Sequence, residues 1–172
     1  MRGGRVLSMG RLAIFVDGRR IGARFHVAHR ISVAGHGLDR LHGHTYDIRL
    51  SLAGSDQVAF LYPFEALMQI MVEAVEPLDN KVLLADGGGN VAKFENGTVT
   101  YVSADERRYM FPRDDIVLLP VREVTAEALA DYLLSQILLK LRKSAISTKD
   151  IAEVELTLWE GSERGVVVGG TL

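Results

Sequence analysis

The sequence predicts an α+β protein whose helices cover one face of an antiparallel sheet. Three observations carry that expectation. Residues 44–53, HTYDIRLSLA, alternate with a period of two. Residues 63–76 and 125–144 place apolar side chains at helical spacing, and the chain closes on two further strand-like runs. The order is therefore two or three strands, a helix, an inserted hairpin, a second helix and two strands. At 172 residues the chain is expected to form one domain, 1–172, that buries roughly 70% of its unfolded surface.

Each element has a local reason. Residues 11–16, RLAIFV, read as an N-terminal strand, 11–17 with its last residue. Asp17-Gly18 then reads as a tight turn, with the extended run from Arg19 to Ile31 as the partner in a β-hairpin. In the next strand Tyr46, Ile48, Leu50 and Leu52 face one way, and Asp47, Arg49 and Ser51 the other. Pro63 opens the first helix, a position where its missing N–H is tolerated. Phe64, Leu67, Met68, Met71 and Val75 form its apolar stripe, and Pro77 ends it. Residues 85–120 are a polar insert: a DGGGN turn, a hairpin around Asn96-Gly97, and a loop at ADERRYMFPRDD. Thr125 is the N-cap of the second helix, whose last turn is basic. IAEVELTLWEG and RGVVVGG are the closing strands.

Composition narrows the function classes. Hydrophobic residues make up 48% of the chain, yet no run approaches the ~18 apolar residues of a membrane span. The basic start reaches Asp17 after a short apolar run, so no signal peptide is read and a cytoplasmic location is expected. A net charge of −2 without a long basic run argues against nucleic acid as partner. There is no cysteine, which removes disulfides, thiolate ligands and thiol nucleophiles together. Any metal must rest on nitrogen or oxygen.

The nitrogen donors are concentrated. All five histidines lie between positions 26 and 44. His42 and His44 flank Gly43 and, two apart on a strand, project to the same face, about 6.7 Å apart along the backbone. His29, on the earlier strand, supplies a third nitrogen if that strand pairs alongside, whereas alternation sends His26 to the opposite face. Three histidines without a fourth protein ligand leave a coordination position open, as in a catalytic zinc site.

The same residues carry a resemblance. FHVAHRI followed by RLHGHTYDIRL resembles the 6-pyruvoyl-tetrahydropterin and 6-carboxytetrahydropterin synthase family, with its F-x-A-A-H-R-L and L-H-G-H-x-[YF] segments. PLDNKVL (77–83), TAEALADYL (125–133) and LTLWEG (156–161) resemble later family segments in the same order, so the match spans 25–160. The N-terminal strand and the 85–120 insert fall outside it. The resemblance implies the tunnelling fold: a four-stranded antiparallel sheet backed by two helices, trimers closing into barrels, and two trimers stacking into a homohexamer with sites at subunit interfaces. It implies Zn2+ on His29, His42 and His44, and a pterin such as dihydroneopterin triphosphate as substrate. It makes Glu160 the pterin anchor, since a carboxylate accepts two parallel N–H bonds from a guanidine-like edge.

The chain also departs from that pattern. The family's proton-abstracting cysteine falls at Leu38, and of its aspartate–histidine pair Asp79 is kept while the histidine is replaced by Asn80. A cysteine-free branch that cleaves the side chain to 6-hydroxymethyl-dihydropterin carries a glutamate three residues before H-G-H. Here that offset holds Asp39, with His36 in the same loop as another proton carrier. Three readings follow: a zinc-dependent lyase of the main type, a side-chain-cleaving enzyme using Asp39, or a zinc- and pterin-binding hexamer without catalysis.

Overall fold

The computed structural model describes residues 11–32, 40–55 and 58–172. Its strands are β1 (Arg11–Asp17), β2 (Arg24–His29), β3 (His42–Ser55), β4 (Lys81–Ala85), β5 (Val91–Glu95), β6 (Thr98–Val102), β7 (Arg108–Pro112), β8 (Ile116–Leu119), β9 (Ile151–Glu160) and β10 (Arg164–Gly170). The helices are α1 (Phe64–Val75), between β3 and β4, and α2 (Ala126–Lys143), between β8 and β9. The α+β class and the two helices are as expected.

The main sheet runs β10-β9-β3-β2-β4-β8, with β1 also on β3. β3 is 14 residues long, and this length organises the sheet. Its first half pairs with β2, its second half with β1 along the same edge, and β9 takes the other edge. These columns and β10 are antiparallel, while β4 and β8 extend the sheet in parallel beyond β2. The expected hairpin between β1 and β2 is therefore corrected. The two strands follow one another along β3 and do not pair with each other, because Gly18–Arg20 form a 3-10 turn instead of a reversal. Gly18 is required by proximity: a Cβ there would run into the Ile48 carbonyl oxygen of β3.

One face of the sheet is the core. Phe25, Tyr46, Ile48, Leu50, Leu52, Val154, Leu156 and Leu158 are buried on it, beneath Leu67, Met71, Leu129, Leu133 and Ile137 of the helices. The alternation of 44–53 is realised as read. The stripe of α1 is shifted, however: Leu67, Ile70, Met71, Ala74 and Val75 are buried, while Phe64 at the first turn is 48% exposed. Thr125 caps α2 by accepting the Ala128 N–H at 3.2 Å.

The insert holds the expected hairpin, with Asn96 and Gly97 both at positive φ (48° and 75°) between paired Glu95 and Thr98. The expected loop at ADERRYMFPRDD is corrected in part, because β7 adds a third strand there. Alternation of half-buried Tyr109 and Phe111 with exposed Arg108 and Met110 explains it, a period that the surrounding charges obscure.

Candidate metal centre

β2 and β3 bring the three histidines together. Their register sets His29 opposite His42 and Val27 opposite His44, and directly opposed residues share a face. All three imidazoles therefore rise from the core face at one end of the sheet, and one ring nitrogen from each lies within 4.8 Å of the other two. The ring centroids are 4.7–5.2 Å apart. Gly43 leaves the space beside Ala28 free of a side chain on the opposite face.

Backbone carbonyls fix two of the tautomers. His29 Nδ1 donates to the Val124 carbonyl at 2.7 Å, and His42 Nδ1 to the Arg40 carbonyl at 2.8 Å. A carbonyl only accepts, so the proton sits on Nδ1 and the lone pair on Nε2. His29 is sealed from solvent, and its Nε2 is the buried side-chain polar atom without a hydrogen-bond partner among the described residues. An orphaned lone pair beside two further imidazoles is the donor arrangement a metal cation satisfies. Burial pushes the His29 imidazole down to about 4, and burial likewise lowers His44. At neutral pH both are thus uncharged, the form that binds a metal.

Glu160 joins this group. It ends β9 directly opposite Tyr46, two residues beyond His44, and so emerges on the same face. Oε2 accepts the Tyr46 hydroxyl at 3.1 Å, Oε1 lies 2.6 Å from Arg164 Nη2, and His44 Nδ1 is 3.7 Å from Oε1. Tyr46 is buried against Phe25, and its phenol is raised far above its ordinary value, first by burial and then by the Glu160 charge. It remains a neutral donor that holds the carboxylate still. Arg164 is 75% exposed, so a ligand's N–H edge can replace it on Glu160 at small cost.

Asp79 is elsewhere. It lies in the turn before β4 with His26, whose ring leaves β2 from the face opposite His29. His36, Leu38 and Asp39 lie outside the described residues. Among the described residues, then, the structure groups His29, His42, His44 and Glu160, and it sets Asp79 apart.

Several contributors had no sequence signal strong enough to find them. The Val124 carbonyl is 95 residues from His29 and offers no side chain to read. Tyr46 could have been found, since it follows His44 by two residues on the same strand. A longer reach comes from the insert, where Asp105, in the turn between β6 and β7, takes Arg30 in a two-pronged ion pair at 2.8 Å for each bond. Glu123 accepts the Ser32 N–H at 3.0 Å. The segment after His29 is thus tied to the insert and to the chain returning from it.

The fold and these side chains define a class: an α+β sheet protein with a three-histidine site suited to a metal ion and a carboxylate beside it. The chain belongs to the 6-pyruvoyl tetrahydropterin synthase family, whose family model matches residues 20–170. A Methanocaldococcus jannaschii protein provisionally named 6-carboxy-5,6,7,8-tetrahydropterin synthase is 29% identical over 153 residues, covering 87% of this chain and 91% of the relative. A Pyrococcus abyssi protein with the same provisional name is 25% identical over 122 residues, 70% of this chain and 69% of that one. Among solved structures, the 6-pyruvoyltetrahydropterin synthase of Plasmodium vivax aligns with a TM-score of 0.83 and 22% identity, over 95% of this chain and 99% of that one. The Plasmodium falciparum synthase aligns at 0.81 with 23% identity, over 94% and 99%. Two further P. vivax structures carry cysteine or alanine in place of a glutamate described as its catalytic residue. No helix among the described residues is long and apolar enough to cross a membrane.

Proposed function

We propose that this chain is a zinc-dependent lyase acting on the side chain of dihydroneopterin triphosphate or a close relative. It works as a cytoplasmic homohexamer with sites at subunit interfaces. The observation that carries the reading is the buried, partnerless Nε2 of His29 beside His42 and His44, with Glu160 on the same face. Zn2+ held by those three nitrogens would supply Lewis-acid polarisation of the substrate's side-chain hydroxyls. The chain's own residues do the rest. Glu160, steadied by Tyr46, exchanges Arg164 for the guanidine-like edge of the pterin and so fixes the ring. Asp39, with His36 and Asp79, moves protons in place of the absent cysteine.

A second reading has its own support. The P. vivax structures identify a catalytic glutamate in a neighbour of this fold, and a carboxylate at Asp39 is what a cysteine-free site offers here. In that reading the enzyme cleaves the side chain to 6-hydroxymethyl-dihydropterin.

The test is to incubate zinc-loaded protein with dihydroneopterin triphosphate, and separately with dihydroneopterin, and to identify products by mass. Loss of triphosphate to a pyruvoyl or carboxy product supports the first reading, and a hydroxymethyl product the second. Recovery of both pterins unchanged would sink both in favour of a binding protein. Asp39→Asn should abolish turnover with zinc content intact, and full activity in that variant would remove Asp39 from the mechanism.

A further inference from the structure

β2 ends at His29, and its ladder with β3 ends there too, at the pair His29 and His42. A ligand on the last residue of a strand gets no hold from further rungs, and strand ends open more readily than strand centres. Three bonds beyond the ladder supply that hold, and all three come from the insert or from the chain just after it. His29 Nδ1 donates to the Val124 carbonyl at 2.7 Å, Arg30 donates twice to Asp105 at 2.8 Å each, and the Ser32 N–H donates to Glu123 at 3.0 Å. The Arg30 side chain is only 6% exposed, so its charge depends on a partner carboxylate. Its guanidinium also lies over the ring of Tyr109 on β7, 6.0 Å from the centroid.

Asp105 is itself built into position. The turn between β6 and β7 is closed by the Ser103 N–H on the Arg107 carbonyl at 2.9 Å and by the Glu106 N–H on the Ser103 carbonyl at 2.8 Å. The Ser103 hydroxyl donates to Asp105 Oδ1, and Arg107 Nε lies 3.2 Å from Oδ2. The Asn90 side chain accepts the neighbouring Ala104 N–H at 3.0 Å. The three-stranded sheet is moored to the main one as well. Tyr101 of β6 donates its hydroxyl to the Ala85 carbonyl at the end of β4, at 3.1 Å, and the Gly87 N–H reaches the Val121 carbonyl at 2.9 Å. A continuous run of contacts thus leads from the main sheet through the insert to the residue that follows His29.

We infer that the 85–120 insert is a clamp on the metal centre, in which Asp105 is a positioning residue that holds His29 through Arg30. The inference deepens the proposed three-histidine site and rests on that site binding a metal. Asp105 touches neither metal nor substrate. It acts by narrowing the orientations of the His29 imidazole, so that Nε2 already faces His42 and His44 when the ion arrives. A ligand fixed beforehand loses less freedom on binding, and the metal is held more tightly for it.

The test is zinc affinity, measured by chelator competition on the full chain at a temperature where every variant is folded. Asp105→Asn should weaken zinc binding by about tenfold, the low end of what loss of an outer partner costs a metal site. The d–d absorption of the Co2+-loaded variant should change with it, since that spectrum reports ligand geometry. Gly18→Ala is the control, because it strains the contact of the turn with β3 and touches none of the three bonds. Ser103→Ala is the milder variant for use if Asp105→Asn does not fold. It removes the hydroxyl from Oδ1, leaves the ion pair in place, and should weaken zinc binding in the same direction. Wild-type affinity and spectrum in the folded Asp105 variant, or in Ser103→Ala where that one stands in, overturn the inference and leave the metal site standing. Equal weakening in Gly18→Ala overturns it too, by showing that lost stability alone is enough. A wild-type protein that binds no zinc overturns the metal site, and this inference with it.

Discussion

Mild acid should destabilise the metal-free protein through His29. Burial holds this imidazole at about 4 in the folded chain, against 6.5 for an unperturbed one. The unfolded state therefore binds the proton first, so the stability His29 confers is complete above pH 6.5 and is lost as pH falls toward 4. Linkage over that interval gives a loss of about 2 kcal/mol between pH 7 and pH 5, levelling near 3 kcal/mol below pH 4. The lowered carboxylates of Asp17, Glu73, Asp79 and Asp105 lose their contribution mainly as pH falls below their ordinary values near 4, so the interval from pH 7 to 5 lies above that loss. His44 is shifted in the same direction, which calls for a variant as reference. His29→Asn is suitable because an amide N–H can still reach the Val124 carbonyl without titrating. The assay is urea unfolding of chelator-treated protein at pH 7, 6 and 5. Wild type should lose about 2 kcal/mol more than the variant over this range. Equal losses would show that His29 takes up its proton in the folded state, refuting the claim that burial keeps its lone pair free for a metal.

Zinc at a hundredfold excess over Kd should stabilise the wild type by about 2.7 kcal/mol, raising Tm by roughly 5–10 °C, with the gain abolished in His42→Ala as read by calorimetry. Thr125→Ala removes the cap of α2 one residue beyond the His29 carbonyl partner, and should cost about 1 kcal/mol in urea unfolding. Gly18→Ala forces a Cβ against the Ile48 and Ala23 carbonyls and should cost about 1–3 kcal/mol; an unchanged midpoint would contradict the close approach of the turn to β3. Asp105→Asn weakens the grip on Arg30, so amide exchange should accelerate in β6 and β7 while α2 is unaffected.

How much was legible from the chain depends on the range of the interaction. The face shared by His42 and His44, the alternation of 44–53, the cap at Thr125 and the Asn96-Gly97 turn are set within a few residues by backbone sterics and local hydrogen bonds. They are legible in the sequence because nothing distant competes with them. The α1 stripe was off at Phe64 because the docking angle of a helix, not its period alone, decides which flank is covered. The β1–β2 hairpin failed for a related reason: a strand pairs with whichever edge completes the core, and β3 is long enough to take both.

The sequence by itself determined the chemistry available: five imidazoles, no thiols, and the pairing of His42 with His44 on one face. Only the tertiary structure decided how that chemistry is distributed. The register that sets His29 opposite His42, the Val124 carbonyl that turns His29 Nε2 toward its neighbours, and the Asp79 that claims His26 all join residues from distant segments or separate strands. Such pairings cost loop-closure entropy, and they persist only because burying the common core recovers it, a sum that no local window of sequence contains.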